Sequence, residues 1–322
     1  MVAAAYAVAV DPHASGPGER VRVTPELLPV DPHASGPGPV RPDNPPAIVD
    51  GAGADDSALA VACRSRAAAL RDQLGDECRL IIRPPFVVGG DYTAERLEEI
   101  CDDTLFPVAR ALAASYFRQS PDQPIVLLLF SSERSYQHYA LQFDGAAATA
   151  YYGYYLRSDR RIMANCATGG GTLAHELTHA LAHFDFPEMP EWFDEGLASL
   201  HEQSDFTPDG RELVGLDNWR LRLLQAALKF DRLPGLQATM QAPSLRGEGE
   251  GLQYAVVRYF CLFLQERGKL KEFYTRFREE ALEDGTGMQT LVSLLGADSM
   301  DEIDAEFRDW LSARSLSAAT QQ

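Results

Sequence analysis

His175-Glu176-Leu177-Thr178-His179, with Pro190-Glu191-Trp192-Phe193-Asp194-Glu195-Gly196-Leu197-Ala198 downstream of it, is the stretch on which the reading of this chain turns. On an α-helix each residue advances by about 100°, so positions four apart stand one above the other. His175 and His179 can therefore grip one cation from the same side. Glu176 stands at the edge of that face, placed to hold and deprotonate a water activated by the metal, the general-base role of the HExxH pattern. Two neutral imidazoles and one carboxylate leave the fourth position of a tetrahedral Zn²⁺ open, which separates a catalytic site from a closed structural one. No cysteine pair offers a rival closed site. Periodicity alone does not choose the carboxylate: Glu188, Glu191, Asp194, Glu195 and Glu202 all compete.

The surrounding residues suit that geometry. Thr168-Gly169-Gly170-Gly171-Thr172 reads as a loop and helix start with Thr168 or Thr172 as N-cap, and Leu173, Leu177, Ala180, Leu181 and Phe184 follow at helical spacing. Asp185-Phe186-Pro187 should end this helix, because the residue before a proline is driven out of the α region. Pro190 suits the opening turn of the next helix, and a short turn between the two lets the second fold back on the first. His183 extends the histidine series but lies about 12 Å along the axis from His175, too far to share an ion held by bonds of about 2 Å. It is read as structural or as a supporting residue, and His201 as an exposed helix residue or a lining of the cleft.

From Tyr151 to Leu200 the order of motifs, Gly153-Tyr154-Tyr155, Arg161-Ile162, the glycine-rich turn, His-Glu-Leu-Thr-His and Trp-Phe-Asp-Glu-Gly-Leu-Ala, resembles the gluzincin clan of zinc metallopeptidases, and most its bacterial peptidase MA-like branch. The likeness extends more loosely, by pattern alone, from about Leu80 to about Trp310. It implies a zincin-like α+β fold in which His175, His179 and Glu195 hold one catalytic Zn²⁺ and Glu176 is the base. Members of the clan often carry a tyrosine further along the chain that steadies the oxyanion. Tyr254 and Tyr259 are the candidates here, with Tyr254 favoured, although both sit in an amphipathic segment where aromatics also pack. Many members place an acid one turn after the glutamate ligand to orient a histidine, but here that position is Ser199, so the supporting partner is unassigned. Substrate in this clan lies along an edge strand beside the metal, and Arg160–Asn165 is the candidate strand, with Tyr151–Tyr155 as its hairpin partner.

Composition sets outer bounds. The chain has 322 residues, 45% of them apolar, and can bury a sizeable core. Its 29 basic against 47 acidic residues, a net charge of −18, argue against nucleic acid and anionic membranes as partners. No apolar run reaches the roughly eighteen residues of a spanning helix. Val10–Gly18 recurs as Val30–Gly38 within a proline-rich stretch, so residues 1–50 are expected to form a disordered or extended arm in which His13 and His33 are spacer residues. Met1–Val10 lacks the basic start of a secretory signal, and Cys63, Cys78, Cys101, Cys166 and Cys261 show no paired spacing, although Cys63 and Cys78 could pair in an exported protein. A cytoplasmic location is the expectation.

Patterning predicts helices over Ala58–Leu74, Ala94–Phe117 and Glu133–Leu141, and strands over Leu80–Ile82, Phe86–Val88 and Ile125–Phe130. After Leu200 it is almost wholly helical, through Trp219–Phe230, Leu252–Glu266, Leu270–Ala281 and Met300–Leu311, with loops at Asp205–Gly210 and Pro243–Gly251. The expected organisation is the arm, an α/β lobe with a small mixed sheet over 51–200, a helical lobe over 201–315 and a flexible tail over 316–322, with the active-site cleft between the lobes. Zinc-dependent peptide hydrolysis is the leading expectation. The alternatives are an idle zinc-binding domain that recognises peptides or proteins, which the intact Glu176 disfavours, and a zinc hydrolase of non-peptide amides or esters. The shape of the cleft discriminates the last.

Overall fold

The computed structural model describes residues 27–29, 57–146, 152–168, 170–247 and 249–314. Apart from Leu27–Pro29, the expected arm lies outside the described residues, as does the tail over 316–322. Within them the fold is α+β, with a mixed sheet followed by a mainly helical C-terminal part. The sheet comprises β1 (Leu27–Pro29), β2 (Arg79–Arg83), β3 (Phe86–Gly90), β4 (Ile125–Phe130), β5 (Gly153–Leu156) and β6 (Arg161–Asn165), in spatial order β1-β5-β6-β4-β3-β2. The central strands β3, β4 and β6 run parallel, and β2, β5 and β1 pair antiparallel outside them.

Both sheet faces are covered, so the central strands are apolar without interruption, and alternate residues serve different cores. Phe86, Val88, Ile125, Leu127, Leu129, Ile162 and Ala164 join the larger core, whereas Val87, Val126, Leu128, Phe130 and Met163 join the smaller one. Helices α1 (Ala58–Leu74) and α4 (Glu133–Asp144) cover the smaller core, and each is capped by a serine, Ser57 and Ser132, accepting a first-turn N–H. On the other face lie α2 (Ala94–Ile100), α3 (Phe106–Ser115) and α5 (Gly171–Asp185). The single helix expected over Ala94–Phe117 is α2 and α3 joined by a π-helical turn, Cys101–Leu105. Pro107 accounts for the interruption: it lacks the N–H that would bond Asp103, and its ring crowds that carbonyl.

The chain continues through α6 (Glu191–His201), the hairpin β7 (Ser204–Phe206) and β8 (Leu213–Gly215), and then α7 (Arg220–Lys229), α8 (Leu236–Met240), α9 (Glu250–Glu266), α10 (Leu270–Glu280), α11 (Met288–Leu295) and α12 (Met300–Ala313). The hairpin stands where a loop was expected over Asp205–Gly210. Its strands are too short for alternation to register, and its turn is held by side chains, Thr207 Oγ1 bonding Asp209 and the Glu212 N–H. The larger core runs without a break from the sheet to α12, so the two expected lobes share one interior. Among the described residues no helix is long and apolar enough to cross a membrane. All five cysteines are free thiols, Cys63 and Cys78 included.

Asp185, at the C-terminal end of α5, ties these parts together. Its buried carboxylate accepts the backbone N–H groups of Arg118 and Gln119 at 2.7 Å, the Tyr274 hydroxyl at 3.0 Å and the Arg278 guanidinium at 2.6 Å. One side chain thereby joins α5 to the segment after α3 and to α10. Replacing Asp185 by alanine leaves the mostly buried Arg278 without its anion and two amides unbonded. Such a break costs about 3–5 kcal/mol, and a lowered urea midpoint of the metal-free protein is the expected readout.

Candidate metal centre

Helix α5 is buried along almost its whole length, from Gly171 to Ala182. Its leucines and alanines seat it in the core and carry His175, Glu176 and His179 in with them. The helix starts without a side-chain cap: Gly170 holds the cap position, and Thr172 is inside the helix, contrary to the threonine cap expected. Gly153 makes this entry possible, because a Cβ there would lie 2.6 Å from Thr172 Cγ2. The helix ends at Asp185, and α6 begins after Pro190, as the prolines require.

The Trp-Phe-Asp-Glu-Gly motif explains how α6 returns over α5. Trp192 and Phe193 anchor its first turn among Phe273 and Phe277, with Trp192 Nε1 donating to the Thr286 carbonyl. Gly196 lets α6 cross α9 at close range, since a Cβ there would meet Cys261 Sγ and the Val257 carbonyl oxygen at 2.9 Å. Glu195, between the anchor and the crossing, is thereby delivered to the histidines. Its Oε2 lies 3.5 Å from His175 Nε2 and 3.7 Å from His179 Nε2, and the two nitrogens are 3.0 Å apart. Four ligands placed tetrahedrally at about 2.0–2.1 Å from Zn²⁺ are about 3.3–3.4 Å from one another, so the triangle has the size such an ion needs. Of the competing carboxylates, Glu195 is the one that the structure groups with both histidines.

Electrostatics favour a cation at this point. Four carboxylates, Glu176, Asp194, Glu195 and Glu202, surround the two imidazoles, against the guanidinium groups of Arg220 and Arg258. Glu176 is fully buried with neither oxygen hydrogen-bonded, and Glu195 Oε2 is likewise unpartnered. Burial pushes the Glu176 carboxyl up to about 7. Burial alone would make His175 less basic, but Glu195 and Glu202 more than offset it and raise it to about 10. For His179 the Asp194 carboxylate outweighs burial in the same direction.

Each of the three side chains of the triangle has a polar neighbour. His179 Nδ1 lies 2.7 Å from Asp194 Oδ1, His175 Nδ1 lies 3.5 Å from Glu202 Oε2, and Tyr254 Oη donates to Glu195 Oε1 at 3.2 Å. Tyr254 is thus at the centre. Tyr259 is not: its hydroxyl bonds the backbone of Asn218. Where Ser199 offers no acid, Asp194 and Glu202 are the carboxylates that face the Nδ1 atoms, the latter seven residues, or two turns, past Glu195 on the same face.

Other expectations need correction. His201 is neither exposed nor in the cleft; it is fully buried, with Nε2 3.1 Å from the Tyr116 hydroxyl and Nδ1 unpartnered. The strand expected to offer a free edge, Arg160–Asn165, is interior, with β5 on one side and β4 on the other. The antiparallel β5 lies outside it, with Leu27–Pro29 along its outer edge. His183 is no ligand: it bonds Tyr155 and Arg157. Cys166 is half-buried beside Tyr92, away from the cluster. A cavity of about 390 Å³ opens beside His179 and Asp194, walled by Tyr155 and Phe186 on one side and by Pro243, Ser244 and Arg246 on the other. Of the loop expected over Pro243–Gly251, Pro243, Ser244 and Arg246 line the cavity, whereas Glu250 and Gly251 open α9.

No protein-family model matches this chain, and no curated protein is found to be similar to it. The functional reading accordingly rests on the motif residues and their geometry.

His201 supplies a pH test of the packing under the centre. Burial pushes its imidazole down to about 3, whereas an unfolded histidine titrates near 6.5. Below about pH 6.5 the unfolded chain takes up a proton that the folded one refuses, so stability is lost on acidification, at most at about 1.4 kcal/mol per pH unit. Urea midpoints at pH 7 and pH 5, with chelator present throughout, should fall less in His201→Gln than in wild type. Equal falls would contradict the assignment.

Proposed function

We propose that this protein is a zinc-dependent metallopeptidase of gluzincin type. The observation that carries the reading is the triangle of His175 Nε2, His179 Nε2 and Glu195 Oε2, sized for a tetrahedral ion, with an unpartnered carboxylate beside it. Bound there, Zn²⁺ would polarise a substrate carbonyl and lower the pKa of a water at its open position. Glu176 is the base: held near neutrality by burial, it can take a proton from the attacking water and return it to the leaving amine. Tyr254 has a hydroxyl close enough to Glu195 to reach a developing oxyanion by a small rotation. Asp194 orients His179 and keeps its Nε2 directed at the ion. The cavity next to His179 would receive substrate residues flanking the scissile bond.

A second reading, hydrolysis of small amides or esters, has one specific observation in its favour. The ligands and Glu176 are at most 1% exposed, and the strand expected to receive a peptide is interior. Such closure suits a small substrate better than a folded protein.

Metal content and hydrolysis test both readings. Purified wild type should hold near-stoichiometric zinc and cleave unfolded casein. Glu176→Gln should keep the zinc and lose roughly 10²–10⁴-fold in rate, and Glu195→Ala should lose both. Zinc with turnover of small esters but not casein would favour the second reading, and wild type without zinc would sink the centre altogether.

A further inference from the structure

Beneath the centre lies a buried charged assembly that metal ligation alone does not explain. Arg220, at the start of α7, is completely buried, and its guanidinium donates to Glu202 Oε1. Asn218 Nδ2 reaches the same oxygen at 3.4 Å, and Asn218 Oδ1 accepts the Arg220 N–H at 3.1 Å. The turn carrying both is strapped to α9, where Tyr259 bonds both backbone groups of Asn218 and Arg258 donates to the Leu216 carbonyl at 2.6 Å and to the Ser199 carbonyl at 2.9 Å. One oxygen of Glu202 is thus occupied from the C-terminal part of the chain. The other, Oε2, has no hydrogen bond and faces His175 Nδ1, which has none either.

A buried carboxylate oxygen and a buried imidazole nitrogen, each unpartnered and 3.5 Å apart, are each other's only apparent use. A shift of roughly half an ångström brings them into normal hydrogen-bond range. We propose that Glu202, locked by Arg220, is the positioning residue for His175: it accepts the Nδ1–H, fixes the tautomer that presents Nε2 to the ion, and makes metal affinity depend on the docked 216–220 turn. The inference rests on the zinc reading above. Arg220 matters because an ion-paired carboxylate cannot swing onto the metal as a competing ligand. Two oriented imidazoles then have two separate supports, Asp194 for His179 and Glu202 for His175.

Glu202→Leu alone strands a buried guanidinium and risks misfolding, so the informative variant is Glu202→Leu with Arg220→Met, which removes both charges and the acceptor together, whereas a glutamine would keep an amide oxygen able to accept the Nδ1–H. Zinc affinity, measured on the full chain by competition with a chromophoric chelator, should fall 10–100-fold in the double variant, the usual loss for a removed supporting partner. The visible spectrum of the Co²⁺-loaded double variant should shift as well. If Glu202 served only to neutralise Arg220, the double variant would bind zinc as wild type does, and the proposal would be overturned while the zinc reading stood. A second measurement needs no variant. In ¹⁵N-histidine-labelled, zinc-loaded wild type, His175 should show a protonated Nδ1 and a metal-shifted Nε2. The reverse pattern would also overturn the proposal, and wild type that binds no zinc would remove it together with the reading on which it rests.

Discussion

Putting charge inside a helix pair is the constraint around which this molecule is arranged. Water-excluded carboxylates and imidazoles are costly unless each finds a partner. In α5 and α6 the motif residues that carry chemistry alternate with apolar residues that force burial. Leu173, Leu177 and Ala180 draw His175, Glu176 and His179 into the core, and Trp192 and Phe193 do the same for Asp194 and Glu195. The apolar residues supply the driving force, and the polar ones determine what must lie opposite them.

That requirement accounts for much of the C-terminal part. Three carboxylates at the α5–α6 pair are answered from later elements: Glu195 by Tyr254 on α9, Glu202 by Arg220 on α7, and Asp185 by Tyr274 and Arg278 on α10. A carboxylate on α6 cannot hold its position without the helices behind it. The division into an α/β lobe and a helical lobe therefore describes sequence order more than mechanical independence. The continuous core from Ile81 to Leu311 has the same implication.

What could be read from sequence follows from the range of the interactions. The two histidines and Glu176 are legible because i and i+4 share a helix face, and α1 and β4 because caps and apolar runs are local signals. Glu195 could be separated from its neighbours only by likeness to a family pattern, since five carboxylates lie within reach. Asp194 and Glu202 were visible as acids but not as neighbours of the histidine Nδ1 atoms, because that contact depends on how α6 lies against α5, which no local pattern encodes. Arg220 carried no signal, since nothing in a chain of arginines marks the one that is buried. The π-turn before Pro107 and the β7–β8 hairpin escaped for a different reason: each is shorter than the window in which periodicity can be measured.

The charge arrangement also bears on what the buried cluster requires of its surroundings. With both imidazoles neutral and the four carboxylates ionised, the buried negative charges outnumber the two nearby guanidinium groups. These carboxylates outweigh burial at both imidazoles, raising His175 to about 10 and shifting His179 upward, while burial shifts the Glu176 carboxyl upward. A divalent ion held as proposed would compete with protons for the same imidazole nitrogens. The same surplus of negative charge is what makes a proton or a cation favourable at this point. The cost of burying the cluster and the metal recognition proposed for it thus draw on a single feature, the burial of more carboxylates than the nearby guanidinium groups neutralise.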